Sequence, residues 1–380
     1  MQKKCKDDYS TTFETFDEMK EYHVQQSKET EWKRCDVRAI HVEPLSKDSM
    51  LYMNPGRFAG DTTQEAVIDT ANNLGLAIRI GSEIRPVRDT AYKSLLDRAK
   101  ISGTALPKLK KQSLAGILNE CLAVHNSKAL MLIRDEKISA VHSGDESDYS
   151  VLPIDELLGV LKESIDKRFP GNLFNKGYCD HSIASATWIF PNQRKALLGT
   201  YVKYLEENGK KKLADKLVPG IRFTTSDTGI ASAKVSALIM GTQMPIHIGS
   251  CLSVDHRRNT KISDFEEVLN QLFAQFGETV KKLEELTRIH LAYPVNTMTR
   301  ICKKMSMPKN AAVEAIAMFE MAHGNNPATA HDVFLAMQEI MFTAKSEGAS
   351  AAKLLNLEES MARMMAFRWS DYDLPKAVSY

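Results

Sequence analysis

Three runs, Ile221-Arg-Phe-Thr-Thr-Ser226, Ala231-Ser-Ala-Lys-Val-Ser-Ala-Leu-Ile239 and Ile246-His-Ile-Gly-Ser-Cys-Leu-Ser-Val254, follow one another closely, and each reads as a β-strand. Asp227 and Gly229 suit a turn between the first two, because Asp can bond its own backbone and Gly accepts positive φ. Beyond Thr260 the pattern changes. Ser263 with Glu266 forms a capping box, and Phe265, Leu269, Leu272, Phe276, Leu283 and Leu286 recur at helical spacing to about His290. Further helices are expected over Thr297–Lys304, Asn310–Ala322, Ala328–Lys345 and Leu354–Phe367, with no strand-like run among them.

Upstream, 178–190 reads as one long strand and Gln193–Glu207 as a helix buried through Leu197, Leu198, Tyr201 and Leu205. Residues 129–134 and 137–142 flank an Asp135-Glu136 corner and predict a hairpin, followed by the acidic loop Gly144-Asp-Glu-Ser-Asp148. Helical spacing covers Ile154–Ile165, Ser113–Val124 and the stripe Ala91, Leu95, Leu96, Ala99; Leu76–Ile80 is a short strand. Strands and helices are interspersed without regular βαβ alternation. This predicts an α+β fold: a mixed or antiparallel sheet domain with flanking helices, followed by an all-helical C-terminal region. Residues 1–46 are polar, with a weak helical pattern (Phe13, Phe16, Met19, Tyr22), and read as an arm. The expected division is therefore 1–46, 47–260 and 261–380.

Apolar residues make up 43% and charged residues 26% of the 380, with 19 Gly and 13 Pro, which excludes a wholly disordered, collagen-like or disulfide-scaffold chain. The first residues are polar and predict no secretory leader. No stretch approaches the length of apolar sequence a membrane span needs. Cysteines 5, 35, 121, 179, 251 and 302 are scattered without a C-x-x-C pair, as expected of free thiols in a reducing cytoplasm.

Net charge is only +2, but its distribution is uneven: 194–261 holds 12 basic and 5 acidic residues. Arg194, Lys195, Lys203, Lys210, Lys211, Lys212, Lys216, Arg222, Lys234, Arg257, Arg258 and Lys261 would, if folded onto one face, attract a polyanion in a salt-sensitive way. Tyr201, Tyr204 and Phe223 could stack on unpaired bases. The hydroxyls of Thr224, Thr225, Ser226 and Thr228 could hold a phosphate or base edge, or simply build a turn.

Other chemistry is less well supported. His247, Cys251 and His256, or Cys179 with His181, have spacings zinc tolerates but no paired short-spaced ligands. Asp145, Glu146 and Asp148 beside His142 are the acids a metal-dependent nuclease would use, though they fall in a polar loop. There is no G-x-S-x-G, Walker lysine motif or dinucleotide-binding glycine pattern. No catalytic residue, metal or cofactor is assigned.

Thr90-Ala-Tyr92, Leu95, Ile101-Ser102, Leu106-Pro107, Ile133-Arg-Asp135, Ile138-Ser-Ala-Val141, Tyr149 and Leu152-Pro153 form a pattern that continues in Ser226-Asp-Thr-Gly229 and Ala330-His-Asp-Val-Phe334. It resembles a prokaryotic family of phages, prophages and plasmids, domain of unknown function nine hundred and thirty-two, over about residues 60–370. The resemblance implies a protein of mobile DNA acting in a bacterial cytoplasm, and carries no catalytic assignment. Together with the local basic surplus it leads to the expectation of a non-enzymatic nucleic-acid-binding protein that favours single-stranded DNA. A homo-oligomer would suit such a role. The rivals are a protein that inhibits a host defence or host enzyme by protein–protein contact, and a metal-dependent nuclease.

Overall fold

The computed structural model describes every residue except 1, 2, 243 and 325. Its first 46 residues are not an appendage. They supply β1 (Ser10–Phe13), β2 (Glu31–Asp36) and β3 (His41–Pro44), one strand to each of three sheets. A helix, Phe16–Glu29, is capped by Thr15, whose Oγ1 accepts from the Glu18 N–H. The expected arm is corrected for a physical reason: these strands are short and half-polar, so alternation is too weak to read.

Next come β4 (Leu76–Ile80) and β5 (Glu83–Pro86), which extend β3, and β6 (Lys128–Arg134) and β7 (Lys137–Ser143), which extend β2. Asp135 and Glu136 both adopt positive φ, 48° and 72°, the backbone of a tight two-residue hairpin turn. The third sheet is antiparallel, in the order β1, β8 (Leu173–Asp180), β9 (Ala184–Ile189), β10 (Val218–Thr225), β11 (Ala233–Met240), β12 (Ile246–Val254). The single strand expected over 178–190 is a hairpin instead. Asp180 Oδ1 accepts from the backbone N–H groups of Ser182 and Ile183 at 2.6 and 2.8 Å, and this Asx turn reverses the chain.

The antiparallel sheets, flanking helices and C-terminal helical region make the protein α+β. Two short strands, His290–Leu291 and Ala328–Thr329, pair within that helical region, and the helix expected over 328–345 is broken into Ala330–Ala336 and Glu339–Ser346. The long helix runs Ile262–Leu286, its N-terminus closed by Asp264 accepting from the Lys261 N–H at 2.9 Å rather than by Ser263. Among the described residues no helix is long and apolar enough to cross a membrane.

The cores divide the chain differently from the sequence expectation. One extends from Phe13 and Trp188 through Phe223, Phe265 and Phe276 to Phe334 and Trp369, so the six-stranded sheet and the C-terminal helices share it. No core boundary falls at 260. A second lies between β3, β4, β6, β7 and the helices Ala91–Ala99 and Lys111–Ala123, built on Ile78, Leu95, Leu118, Met131 and Val141. Polar contacts stitch the seam between the two cores.

At one place on the seam Arg88 and Lys137, each 0% exposed, meet Asp7. Lys137 Nζ lies 2.9 Å from Asp7 Oδ1 and 2.6 Å from Asp69 Oδ2, and Arg88 Nη1 lies 3.3 Å from Asp7 Oδ1. At another, Arg134 on β6 pairs with Asp227 in the β10–β11 turn, while its Nε donates to Thr30 Oγ1 at 3.0 Å. Fully buried cations tolerate this position only because carboxylates accompany them.

Candidate functional site

A polar cleft of about 380 Å³ opens along this seam. One wall is the polar face of the helix Ala91–Ala99. Its apolar stripe enters the second core, which leaves Thr90, Lys93, Ser94, Asp97 and Arg98 on the other side by helical periodicity. The opposite wall is the turn Thr228–Ser232, and Asp255, His256 and Arg257 after β12 close one end. The chain brings these together because β10 ends, β11 begins and β12 ends at the same edge of the sheet.

An aromatic stack lines the cleft. His142 and Tyr149 lie ring on ring, centroids 3.6 Å apart and 4° from parallel, and His256 continues the stack at 5.5 Å from Tyr149. His142 Nε2 donates to the Asp227 carbonyl at 2.8 Å, and Tyr149 Oη donates to the same oxygen at 2.9 Å. Nδ1 of His142 is therefore the unprotonated nitrogen. Burial holds the His142 pKa down to about 4, against the opposing pull of that hydrogen bond. Burial also lowers His256, whose Nδ1 donates to the Ser150 carbonyl at 3.1 Å and whose Nε2 has no partner. Gly229 (φ 75°) is needed here: a Cβ would lie 3.2 Å from His142 Cε1.

Arg98 is, with His256, one of two cleft residues that carry an unsatisfied buried nitrogen. No carboxylate lies within ion-pair distance among the described residues, and its buried Nε has no acceptor. Burial lowers its pKa, with Asp148 and Asp97 opposing at longer range. A partly buried guanidinium without an acceptor is costly unless an acceptor arrives from outside. Lys93, Arg98 and Arg257 face Asp97, Asp148 and Asp255 across the lining, so the cleft carries no formal surplus. It offers donors and acceptors in equal measure.

The cationic track expected over 194–261 is not assembled. Lys210–Lys212 and Lys216 precede β10, and Arg257, Arg258 and Lys261 follow β12. The alternating strand directions put these groups at opposite ends of strands about 25 Å long. The cations between them are neutralised: Arg222 by Glu358, Lys234 by Glu359, Lys210 by Asp332 and, at 3.7 Å, Lys203 by Glu207. Arg194 is spent on the carbonyls of Leu217 and Ala214, at 2.8 and 2.7 Å. Lys195, Lys211, Lys212, Lys216, Arg257, Arg258 and Lys261 are exposed and have no ion pair among the described residues, but only Arg257 reaches the cleft.

The expected stacking and hydroxyl contacts are corrected too. Phe223 is core, edge-on to Phe265; Tyr201 is fully buried and bonds His331; Tyr204 is half-buried, its Oη 3.5 Å from the Thr287 carbonyl. Thr225 and Ser226 are buried, and Ser226 Oγ accepts from the N–H groups of Thr228 and Ile230, so it builds the turn. Of the 219–229 segment only Thr228 and Gly229 line the cleft.

Among the described residues no three His, Cys, Asp or Glu side chains are grouped to hold a metal ion. His247 faces Glu358 at 3.2 Å, Cys179 bonds its own neighbour's carbonyl, and Asp145 accepts from the Ser147 N–H, so the suggested metal sets point into different environments.

Comparison of the chain with protein-family models, curated proteins and solved structures finds no match. Of the motif residues quoted from the sequence, Thr90, Val141, Tyr149, Thr228 and Gly229 meet in this cleft. Lys93 and Arg98 carry no sequence signature of their own. Their signal was the polar stripe Thr90, Lys93, Ser94, Asp97, Arg98 opposite the apolar one.

Proposed function

We propose that the chain is a non-enzymatic nucleic-acid-binding protein of a phage or mobile element, and that it takes one nucleotide unit of a single strand in the seam cleft. The observation that carries this reading is Arg98: a partly buried, acceptorless guanidinium in a cleft of about 380 Å³. A phosphate would meet Arg98, Lys93 and Arg257, and the carboxylates and hydroxyls opposite would accept from and donate to a base edge. The balanced charge favours one phosphate over a long polyanion, so affinity should fall with salt only with the slope of one or two released counterions, about −0.7 each for a single strand.

Fluorescence anisotropy with a labelled, 5′-phosphorylated oligonucleotide tests it. Binding is expected at low salt, weakened at least tenfold by Arg98→Ala and less by Arg98→Lys. No anisotropy change at high micromolar protein, or equal binding by Arg98→Ala, overturns the reading.

A further inference from the structure

The helix Lys309–His323 carries apolar residues on both of its sides. Ala311, Ala312, Ala315 and Phe319 are buried in the first core, whereas Val313, Met318 and Met321 are 45%, 48% and 88% exposed, and Ala317 is exposed with them. Spaced four apart, Val313, Ala317 and Met321 form one outward strip opposite the buried one. A surface helix ordinarily turns polar residues to water, and one that is apolar all round is ordinarily covered on every side. This strip is bare.

The charges beside the strip are set against the helix that carries them. Lys309 stands in the first turn and Glu320 in the last, where the macrodipole favours the opposite signs. Neither has an ion pair among the described residues. They cannot answer each other within one helix, because three turns, roughly 16 Å, lie between them. Three turns also return them to the same side of the strip. A second copy of the helix laid antiparallel, its two-fold axis level with Glu314 and Ala315, puts each Lys309 beside Glu320 of the partner subunit. Val313 then lies beside Ala317 of the partner subunit, a side chain small enough for helix axes to approach to about 8–10 Å. Glu314 and Glu320 make an anionic lipid surface the poorer match for the same strip.

We infer that the outward face of Lys309–His323 is a homodimer interface, covered by a second copy of the chain in antiparallel register through two Lys309–Glu320 pairs. The inference does not rest on the seam cleft, which none of these residues lines. One helix per copy buries less than the about 1,200 Å² at which stable interfaces begin, so the dissociation constant should be micromolar, roughly 1–100 µM.

Sedimentation velocity of the full chain from about 1 to 200 µM tests it. A monomer–dimer equilibrium is expected, abolished by Met321→Asp. Lys309→Glu or Glu320→Lys alone should weaken it about tenfold or more, since each turns two attractions into two repulsions. The double variant Lys309→Glu, Glu320→Lys should dimerise like the parent, and mixing the two single variants should give a dimer that neither forms alone. Both single substitutions suit the macrodipole better than the native charges, so melting temperatures should stay at or slightly above the parent's, which separates lost association from lost folding. A chain that stays monomeric to about 200 µM, including one that instead floats with phosphatidylcholine vesicles, overturns the inference. So does a dimer indifferent to Met321→Asp, or a double variant that fails to recover.

Discussion

Replacing Asp7 by alanine tests whether charge holds the two cores together. Arg88 and Lys137 are 0% exposed, and Asp7 pairs with both. Its removal leaves Arg88 with no paired carboxylate and Lys137 with Asp69 alone. Stranding one member of a buried pair costs about 3–5 kcal/mol. Unfolding entropy near 2.1 cal/mol/K per residue gives about 0.8 kcal/mol/K for 380 residues, so the expected fall in Tm is about 4–6 °C. Differential scanning calorimetry of Asp7→Ala, Lys137→Met and the double variant measures it. The double variant should lose less than the two singles together, because charge and partner leave at once. A Tm within about 1 °C of the parent for Asp7→Ala, or strictly additive losses, would refute the pairing argument.

Three further outcomes follow from the same physics. His23, His142 and His331 are held neutral by burial with pKa values near 4, against about 6.5 in an unfolded chain. The unfolded state therefore binds more protons between those values, and stability should fall as pH drops from about 6.5 towards 4, measured by urea titrations across that range; His331→Gln should flatten the profile. Gly229→Ala should destabilise by about 1–2 kcal/mol through its positive φ and crowding of His142, and should weaken oligonucleotide binding in the anisotropy assay. Combined Lys195→Ala, Lys211→Ala and Lys212→Ala should change that binding less than twofold, since these side chains lie away from the cleft; a larger loss would return the contact to the 194–261 surface.

The sequence was informative where one physical signal dominated. Phe265 to Leu286 repeats at helical spacing over about six turns, and the Asp135-Glu136 corner separates two strongly apolar runs, so both elements were legible. The first three strands were not. Ser10–Phe13 carries one buried residue and Glu31–Asp36 none, since edge and half-exposed strands need little apolar alternation. Charge misled for a different reason. Composition counts cations without their partners, and Glu358, Glu359 and Asp332, which cancel Arg222, Lys234 and Lys210, lie more than a hundred residues away. The cleft escaped because its members come from 90–98, 141–149, 228–232 and 255–257, and only folding makes them neighbours.

The pairing of Ser10 with Asp180 places an interval in the life of each new chain. At ribosomal speeds of about 5–20 residues per second, β1 emerges roughly ten to thirty seconds before β8 is available to receive it. A greasy strand left unmatched for that long would recruit its neighbours on the same message. Ser10, Thr11 and Thr12 carry hydroxyls, with only Phe13 apolar, and that composition lets the segment remain hydrated during translation until β8 emerges to pair with it.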